Sequence, residues 1–273
     1  MTRGLDHIVV AVRDLEAAGA AWEALGFTVT PTNRHPWGTA NKLVQLDGFF
    51  VELLTVADPE GITEATETEF SFGAFNRDFL ARREGISMLV AQSEGAEADR
   101  ADFERLGLKT WAPFGFERVA NLPDGTTAQV AFDLTFATDP HGPALGFFTC
   151  HNKFPEHFWK PAFQTHENGA KTVATLYMVA GDPSDHHEFL GGFIGQREMR
   201  ATSLGLDLPT PRGLIRVVTE DAYAYLLGEP ARVSLPDERP CFAALEIACE
   251  GLLTRQVIPA GQLHGMTLIL TPA

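Results

Sequence analysis

The stretch LDHIVVAVRDLEAAGAAWEALGF, residues 5–27, decides how the fold of this chain begins. Residues 5–12 form an apolar, β-branched run that is typical of a buried strand. Asp14 then supplies an N-cap, and Gly26 supplies a C-terminal stop for a helix between them. The apolar positions of that helix recur at helical spacing, at Leu15, Ala18, Ala21, Trp22 and Leu25. The stretch therefore predicts a strand that is followed directly by a helix.

Three further strands are predicted after this helix, over residues 27–30, 40–46 and 49–56. The Pro36-Trp37-Gly38 sequence marks a turn before the second of them, and Asp47-Gly48 marks a hairpin turn before the third. The first 56 residues are thus predicted to form one βαβββ module.

The same order of elements recurs along the chain, and an internal repeat governs the prediction of the whole fold. The second module is predicted from strands at 86–92, 109–119, 127–136 and 145–151 and a helix at 99–106. The third is predicted from strands at 171–180, 197–206 and 213–219 and a helix at 184–195. The fourth is shorter, with strands at 241–249 and 266–270 and a short helix at 252–257.

An aromatic segment without clear periodicity separates the second module from the third. Residues 152–169 carry two prolines, four aromatic residues and two histidines, a composition that indicates a packed crossover rather than a flexible linker. The predicted organisation is an N-terminal pair of modules over residues 1–152, a crossover over 153–170 and a degenerate C-terminal pair over 171–273.

Composition excludes several classes of function. The chain has 36 Asp and Glu against 21 Lys and Arg, and its net charge of −15 would repel nucleic acid. No apolar run approaches the roughly 20 residues of a membrane span, and the N-terminus lacks the pattern of a secretory signal. The cysteines, Cys150, Cys241 and Cys249, are odd in number and form no CxxC pair. We therefore expect a cytoplasmic protein with no membrane and no nucleic acid as partner.

Residues 5–27, together with HPWGTANKLVQLDGFFVELL at 35–54, resemble the opening module of glyoxalase-like proteins of the vicinal-oxygen-chelate superfamily. The resemblance continues more weakly over 86–152 and 171–273. It implies an α+β fold in which tandem βαβββ modules form curved mixed sheets around a cleft. It also implies a divalent metal in that cleft, held by residues of the first and fourth strands of each module, which chelates neighbouring oxygens of a substrate.

Carried over to this chain, the resemblance places His7 and Glu52 at the metal positions of the first module. An imidazole and a carboxylate suit Zn²⁺, Mn²⁺, Ni²⁺ or Fe²⁺, and residue type does not choose among these ions. The second module offers Ser87 or Met88 on its first strand, and Cys150 or His151 on its last. A catalytic zinc usually has three protein ligands, so His151, or the loop residue His141, is expected to complete the set.

The simpler interpretation of His7 and Glu52 is a buried hydrogen bond that only supports the sheet, and it stays open. Asn41 lies in a GTxN stretch that resembles a substrate-contacting segment of the family, although a turn-stabilising amide is equally compatible. Trp37 and Phe50 are further candidates for substrate binding because aromatic residues beside the cleft suit an apolar ligand. Residues 115–125 are predicted to form a hairpin over its mouth.

The remaining candidates have structural interpretations. Residue pattern favours packing or loop pinning for His157 and His166, and a small buried hydrophobic role for Cys150. His186, His187 and Glu188 cannot converge on one ion, because adjacent helical residues diverge by about 100°. They are interpreted as a solvated helix start.

Three functions are compatible with these observations. The first is a metal-dependent lyase or isomerase for a small molecule with vicinal oxygens, in which Glu52 serves as general base. The second is a metal-free binding protein of the same fold for a drug or metabolite. The third is an extradiol dioxygenase, whose working site would normally lie in the C-terminal pair of modules, where no matching triad of ligands is found. A homodimer is compatible with each.

Overall fold

The computed structural model describes residues 2–121 and 127–273. Its strands form two mixed sheets, one of nine strands and one of seven. The first sheet and its helices contain β1 (Leu5–Ala11), α1 (Leu15–Ala24), β2 (Asn33–Arg34), β3 (Thr39–Gln45), β4 (Phe50–Val56), α2 (Phe72–Arg82), β5 (Gly85–Gln92), α3 (Ala96–Arg105), β6 (Lys109–Thr110), β7 (Phe114–Asn121), β8 (Thr127–Thr138), β9 (Gly146–Asn152) and, after it, α4 (Pro155–Phe158).

The first sheet has its two modules joined at the centre. Strand β1 pairs in parallel with β4 and antiparallel with β5, and β5 pairs in parallel with β9. The strand order is β2-β3-β4-β1-β5-β9-β8-β6, with β7 paired to β8. Each module therefore places its first strand beside its last, and the first strands of the two modules, β1 and β5, pair with each other at the centre of the sheet.

The second sheet repeats this plan in the C-terminal half, with the order β11-β12-β13-β10-β14-β16-β15. Its elements are β10 (Ala170–Val179), α5 (His187–Ile194), β11 (Arg200–Thr202), β12 (Gly205–Pro209), β13 (Leu214–Val218), α6 (Glu220–Leu227), α7 (Glu229–Val233), β14 (Cys241–Cys249), β15 (Gln256–Ile258) and β16 (Thr267–Pro272). The predicted α+β architecture of tandem βαβββ modules is confirmed.

One continuous apolar core joins the two halves. It contains Ile8 and Val10 of β1 together with Leu176 and Met178 of β10, and all four side chains are fully buried. The helices α1, α3 and α5 pack their apolar faces into the same core, where Phe147 meets Phe193 edge-on with ring centroids 5.5 Å apart. The predicted division into domains at 152 and 170 stays a prediction.

Several predicted elements differ from the structure. Residues 27–30 are not a strand, because Thr28 donates its backbone N–H to the ring Nδ1 of His166 in the crossover instead of to a neighbouring strand. Residues 252–257 are not a helix; a segment this short forms few helical hydrogen bonds, and its end becomes β15. The stretch 197–206 divides into β11 and the start of β12, which form a hairpin.

Four of the described helices, α2, α4, α6 and α7, were absent from the sequence prediction. Ser71 caps α2 by accepting a hydrogen bond from the N–H of Ala74, and Thr219 caps α6 in the same way. Both are Ser/Thr N-caps of short amphipathic segments, as is typical of helix starts, and α7 follows α6 directly. None of the described helices is long and apolar enough to cross a membrane.

Candidate functional site

A small cavity opens on the inner face of the first sheet, the face opposite the shared core. Its volume is about 60 Å³, which is room for several waters. The wall is mainly aromatic, and the polar exceptions lie together on β1, β3, β4, β7 and the loop before β3. The lining residues are His7, His35, Trp37, Asn41, Leu43, Phe50, Glu52, Phe72, Phe116, Arg118, Phe132, Leu134, Phe148, Cys150 and Phe158.

Among the residues that the structure describes, Glu52 is the only carboxylate that lines this cavity. Strand β4 carries it between Phe50 and Leu54 on the inner face, where the residue is 6% exposed. Asn41 donates to its Oε1 at 2.6 Å, and Nε2 of His7 lies 3.9 Å from its Oε2. Burial raises the pKa of Glu52, while His7, Asn41 and the charge of Arg118 act in the opposite direction. A carboxyl group with a raised pKa can exchange a proton closer to neutral pH.

The ring of His7 is fixed on two sides. Its Nδ1 lies 2.6 Å from Oδ1 of Asp6, and its plane stacks on Phe50 with centroids 4.1 Å apart. A carboxylate can only accept, so the proton belongs on Nδ1 and the Nε2 atom is the one presented to Glu52. The structure thus places His7 and Glu52 side by side, as the resemblance implies.

A chain of hydrogen bonds fixes the orientation of Asn41. Burial lowers the pKa of His35 to about 3, so the ring is neutral, and its Nδ1 lies 2.8 Å from Oγ1 of Thr39. Nδ2 of Asn41 then serves two acceptors, Nε2 of His35 at 3.3 Å and the carboxylate of Glu52. Reversing the amide would set its oxygen against both acceptors, so Oδ1 is the atom left over.

Within the described part of the chain, three buried polar atoms of cavity residues have no hydrogen-bond partner: Nε1 of Trp37, Oδ1 of Asn41 and Nε of Arg118. Two are donors and one is an acceptor. Leaving a buried polar group unsatisfied costs about 1–3 kcal/mol, so such atoms are rare without a reason. To the described residues, Arg118 makes one side-chain hydrogen bond, from Nη1 to Oδ1 of Asn33 at 3.2 Å, and no ion pair.

The metal that the resemblance implies has only half of its ligands here. The β1–β4 and β5–β9 ladders each have five residue pairs. When the two ladders are aligned, Met88 occupies the position equivalent to His7, and Phe148 the position equivalent to Glu52. A thioether and a phenyl ring do not replace an imidazole and a carboxylate. Within residues 2–121 and 127–273, no group of three His, Cys, Asp or Glu side chains could hold a metal ion. The described residues do not fit a catalytic metal.

His151, the expected third ligand, is not brought to this pair. Phe148 and Cys150 of β9 line the cavity, and His151 alternates to the other face of that strand. The predicted choice between Cys150 and His151 missed the correct register, because Phe148 occupies the ligand position. Burial raises the pKa of the Cys150 thiol well above its usual value, which is consistent with the predicted inert role. His141, the alternative ligand, lines a different surface cavity beyond β8.

The other histidines have structural contacts. His166 is buried, accepts from the N–H of Thr28 and lies 2.7 Å from the carbonyl oxygen of Gln45. His157 contacts the carbonyl oxygen of Gln129 at 2.7 Å. His186 corrects the prediction of a solvated helix start: it is 3% exposed, and its Nδ1 lies 2.6 Å from Oδ2 of Asp139. That pair connects the end of the first sheet to the second half.

Of the predicted substrate contacts, Trp37, Asn41 and Phe50 all line the cavity, and sequence reasoning missed His35 and Arg118. A signal for Arg118 exists in the alternation of Phe114, Phe116 and Arg118, which share one face of β7. Strands β7 and β8 form the predicted hairpin beside the cavity. The tip of that predicted hairpin, residues 122–126, lies outside the described residues.

Comparison with known proteins gives one family and several solved structures with the same fold. The model of a glyoxalase-like domain family matches residues 5–192. No curated protein sequence matches the chain significantly.

Solved structures share the fold at low sequence identity. A hypothetical protein from Staphylococcus aureus is 13% identical, with a TM-score of 0.76 over 99% of this chain and 100% of its own. A variant of 4-hydroxymandelate synthase from Streptomyces coelicolor is 9% identical, with a TM-score of 0.52 over 91% of this chain and 71% of its own. A xylose isomerase-like TIM barrel/4-hydroxyphenylpyruvate dioxygenase fusion protein is 12% identical, with a TM-score of 0.53 over 92% and 38%. These likenesses establish the fold.

Proposed function

This chain belongs to the glyoxalase-like domain family, and we propose that it binds a small planar molecule with neighbouring oxygens in the cavity of the first sheet, without a metal ion. The observation that carries this proposal is the set of three unpartnered polar atoms in an otherwise aromatic cavity. Few convergent polar groups in an apolar pocket are the usual composition of a ligand site.

The unpartnered atoms describe the ligand that would satisfy them. The N–H groups of Trp37 and Arg118 call for an acceptor oxygen, and Oδ1 of Asn41 calls for a hydroxyl donor. A molecule that carries a hydroxyl beside a second oxygen, such as a catechol, offers both. Its ring would pack among Phe116, Phe132 and Phe148.

Charge supports binding without a metal. The charge of Arg118 acts on Glu52, and together with Asn41 and His7 it gives the buried carboxylate partners from this chain alone. A second cation at the same place would be repelled by the guanidinium. In this arrangement Arg118 supplies the positive charge that the ligand's oxygen meets.

Calorimetric titration with catechol in the presence of a chelator tests the proposal. We expect catechol to bind more tightly than resorcinol, which has the same atoms but non-adjacent oxygens. Arg118→Gln should weaken catechol binding about tenfold, in line with the loss of one charged hydrogen bond. Arg200→Gln, a substitution of an exposed arginine on β11, is the matched control. Absence of catechol binding to the chelated protein, or equal binding by Arg118→Gln, would contradict the proposal.

A metal-dependent lyase or isomerase is the second candidate. One observation favours it: His7 anchors Nδ1 on Asp6 and presents Nε2 beside Glu52, as metal-binding histidines do. Elemental analysis of protein purified without chelator, compared with the His7→Ala/Glu52→Ala double variant, separates the two candidates. Near-stoichiometric Zn, Mn, Ni or Fe that the variant loses would favour the enzyme.

A further inference from the structure

A second cavity lies next to the first, at the end of the sheet where β1 begins. It has a volume of about 190 Å³. Four residues line both cavities: Phe50, Phe132, Cys150 and Phe158. We call the cavity that contains Glu52 the inner cavity and this second one the outer cavity.

The ring of Phe158 stands in the partition between them. It packs against Phe50 and Phe132 with ring centroids 5.1 and 5.6 Å away, and it is 9% exposed. Its backbone is held in place, because Gln45 donates from Nε2 to its carbonyl oxygen at 3.0 Å. A change of this side chain's rotamer, with the short helix α4 left in place, would join the two cavities.

Arg212 is the cation of the outer cavity, and it comes from the second half of the chain. Its guanidinium lies against Gly48, where an added Cβ would be 2.5 Å from Nη2, so the glycine leaves the space that the arginine occupies. Gly48 also has a φ of +64°, which a side chain would disfavour. The Asp47-Gly48 turn thus forms the seat of Arg212.

The guanidinium of Arg212 makes few polar contacts with the described residues of the protein. It donates from Nη1 to the carbonyl oxygen of Leu5 at 3.2 Å, and it forms no ion pair with any described residue. This is unusual in a chain with 36 acidic residues against 21 basic ones. The one acidic residue of the outer cavity is Asp6, whose Oδ1 is engaged by His7. A planar guanidinium with free N–H groups suits a carboxylate.

We propose that the outer cavity is an anion subsite for the far end of the ligand, with Phe158 as the gate that the connecting chain displaces. The inference rests on the proposed function: the ring with neighbouring oxygens occupies the inner cavity, and a carboxylate on a short aliphatic chain reaches Arg212. The ligand class is therefore an aryl-substituted carboxylic acid rather than a simple catechol.

A series of probes of increasing length tests the subsite. The dissociation constants of catechol and of 3,4-dihydroxyphenyl alkanoates with one to five methylenes are measured calorimetrically for the wild type, Arg212→Gln, Phe158→Leu and Arg200→Gln. We expect affinity to rise at least about tenfold once the chain is long enough to reach Arg212. Arg212→Gln should abolish this gain and leave catechol binding intact, which also shows that the variant is folded.

The gate has its own measurement. Phe158→Leu shortens the partition, so the longer acids should associate faster with the protein. Stopped-flow tryptophan fluorescence measures this rate, because Trp37 lines the inner cavity and Trp159 the outer one. Catechol, which does not extend past the partition, should gain less in association rate than the longest acid. If catechol binds and no acid binds more tightly, or if Arg212→Gln weakens catechol as much as the longest acid, the subsite is excluded and the proposed function stands. If neither catechol nor any acid binds, both proposals fail.

Discussion

The inner faces of the two sheets are built on the same plan and are used in opposite ways. Aligning the β1–β4 ladder with the β10–β13 ladder, each of five pairs, places Thr175 at the position of His7 and Arg216 at that of Glu52. The N-caps agree with this alignment, because Asp14 and Asp182 both lie seven residues after the first of these positions. A carboxylate in one half thus corresponds to a guanidinium in the other.

The second face satisfies its charges within the protein. Arg216 makes two hydrogen bonds to Asp207, at 2.6 and 2.8 Å, and Tyr177 donates to Glu246 at 3.0 Å. Helices α6 and α7 then cover this face, with Tyr223 fully buried among its apolar residues. The difference teaches that the first sheet leaves several unpartnered polar atoms around an open cavity, while the second pairs its charged side chains and covers its face with α6 and α7.

The largest expected effect is the removal of the cover from the second face. Tyr223→Ala should lower the free energy of unfolding by about 3–5 kcal/mol, because a large buried ring leaves a cavity. Chemical denaturation measures this change. Catechol binding at a temperature where the variant is folded should be unchanged, and a parallel loss of binding would show that the second face takes part in the site.

The acid stability of the first half should depend on His35. Its folded pKa of about 3 lies below the ordinary value of 6.5, so unfolding takes up a proton between these values and stability is lost as pH falls from 6.5 towards 3. His35→Gln keeps an acceptor for Asn41 and should gain about 2 kcal/mol relative to the wild type at pH 4, and little at pH 8. His187→Gln, at an exposed histidine of α5, should show no such dependence.

Substituting the two inward arginines separates binding from stability. Arg216→Gln should lower the free energy of unfolding by about 1 kcal/mol, since it breaks a bidentate, half-buried pair, and should leave catechol affinity unchanged. Arg118→Gln should weaken catechol and change stability by less. Chemical denaturation measures the stability of both variants, and calorimetry measures their catechol affinity. A loss of catechol affinity in Arg216→Gln, or a larger loss of stability in Arg118→Gln, would contradict the comparison.

The smallest expected effect concerns Glu52. Its raised pKa means that the folded protein keeps the proton above pH 4.5, where the unfolded chain has lost it, so stability falls as pH rises through the folded pKa. Glu52→Gln should therefore match the wild type near pH 4 and exceed it by about 1 kcal/mol at pH 8. Glu246→Gln on the second face loses the ion pair with Arg255, although its amide oxygen can still accept from Tyr177, and should gain nothing.

Sequence pattern predicted the parts of the fold that rest on local signals. The alternation in β1, the cap at Asp14 and the repeated order of elements were sufficient for the modules. The short helices α6 and α7 escaped prediction because their role is to cover a sheet face, which only the tertiary structure reveals. Residues 27–30 were wrongly predicted as a strand, because the contact that holds them, from Thr28 to His166 in the crossover, is distant in sequence and leaves no local signal.

The site was predictable as far as the resemblance carried residue by residue. It gave His7, Glu52 and Asn41, and aromatic character gave Trp37 and Phe50. The register of β9 could not be read from the sequence, since Phe148, Cys150 and His151 lie within four residues and only the ladder with β5 selects among them. His35 and Arg118 were missed because their roles depend on tertiary contacts. His35 contacts the amide of Asn41, and Nε of Arg118 is buried without a hydrogen-bond partner among the described residues.

Arg212 lies against Gly48, so the C-terminal half forms part of the wall of the outer cavity, whose other lining residues belong to the N-terminal half and the crossover. A ligand that grips both the inner cavity and this arginine would hold the halves together and add its binding free energy to their docking. Protease cleavage in the crossover should then slow when the long acids are present, while catechol alone should protect less. A repeat that contributes one arginine to the cavity of its neighbour would thus stabilise the docking of the two halves.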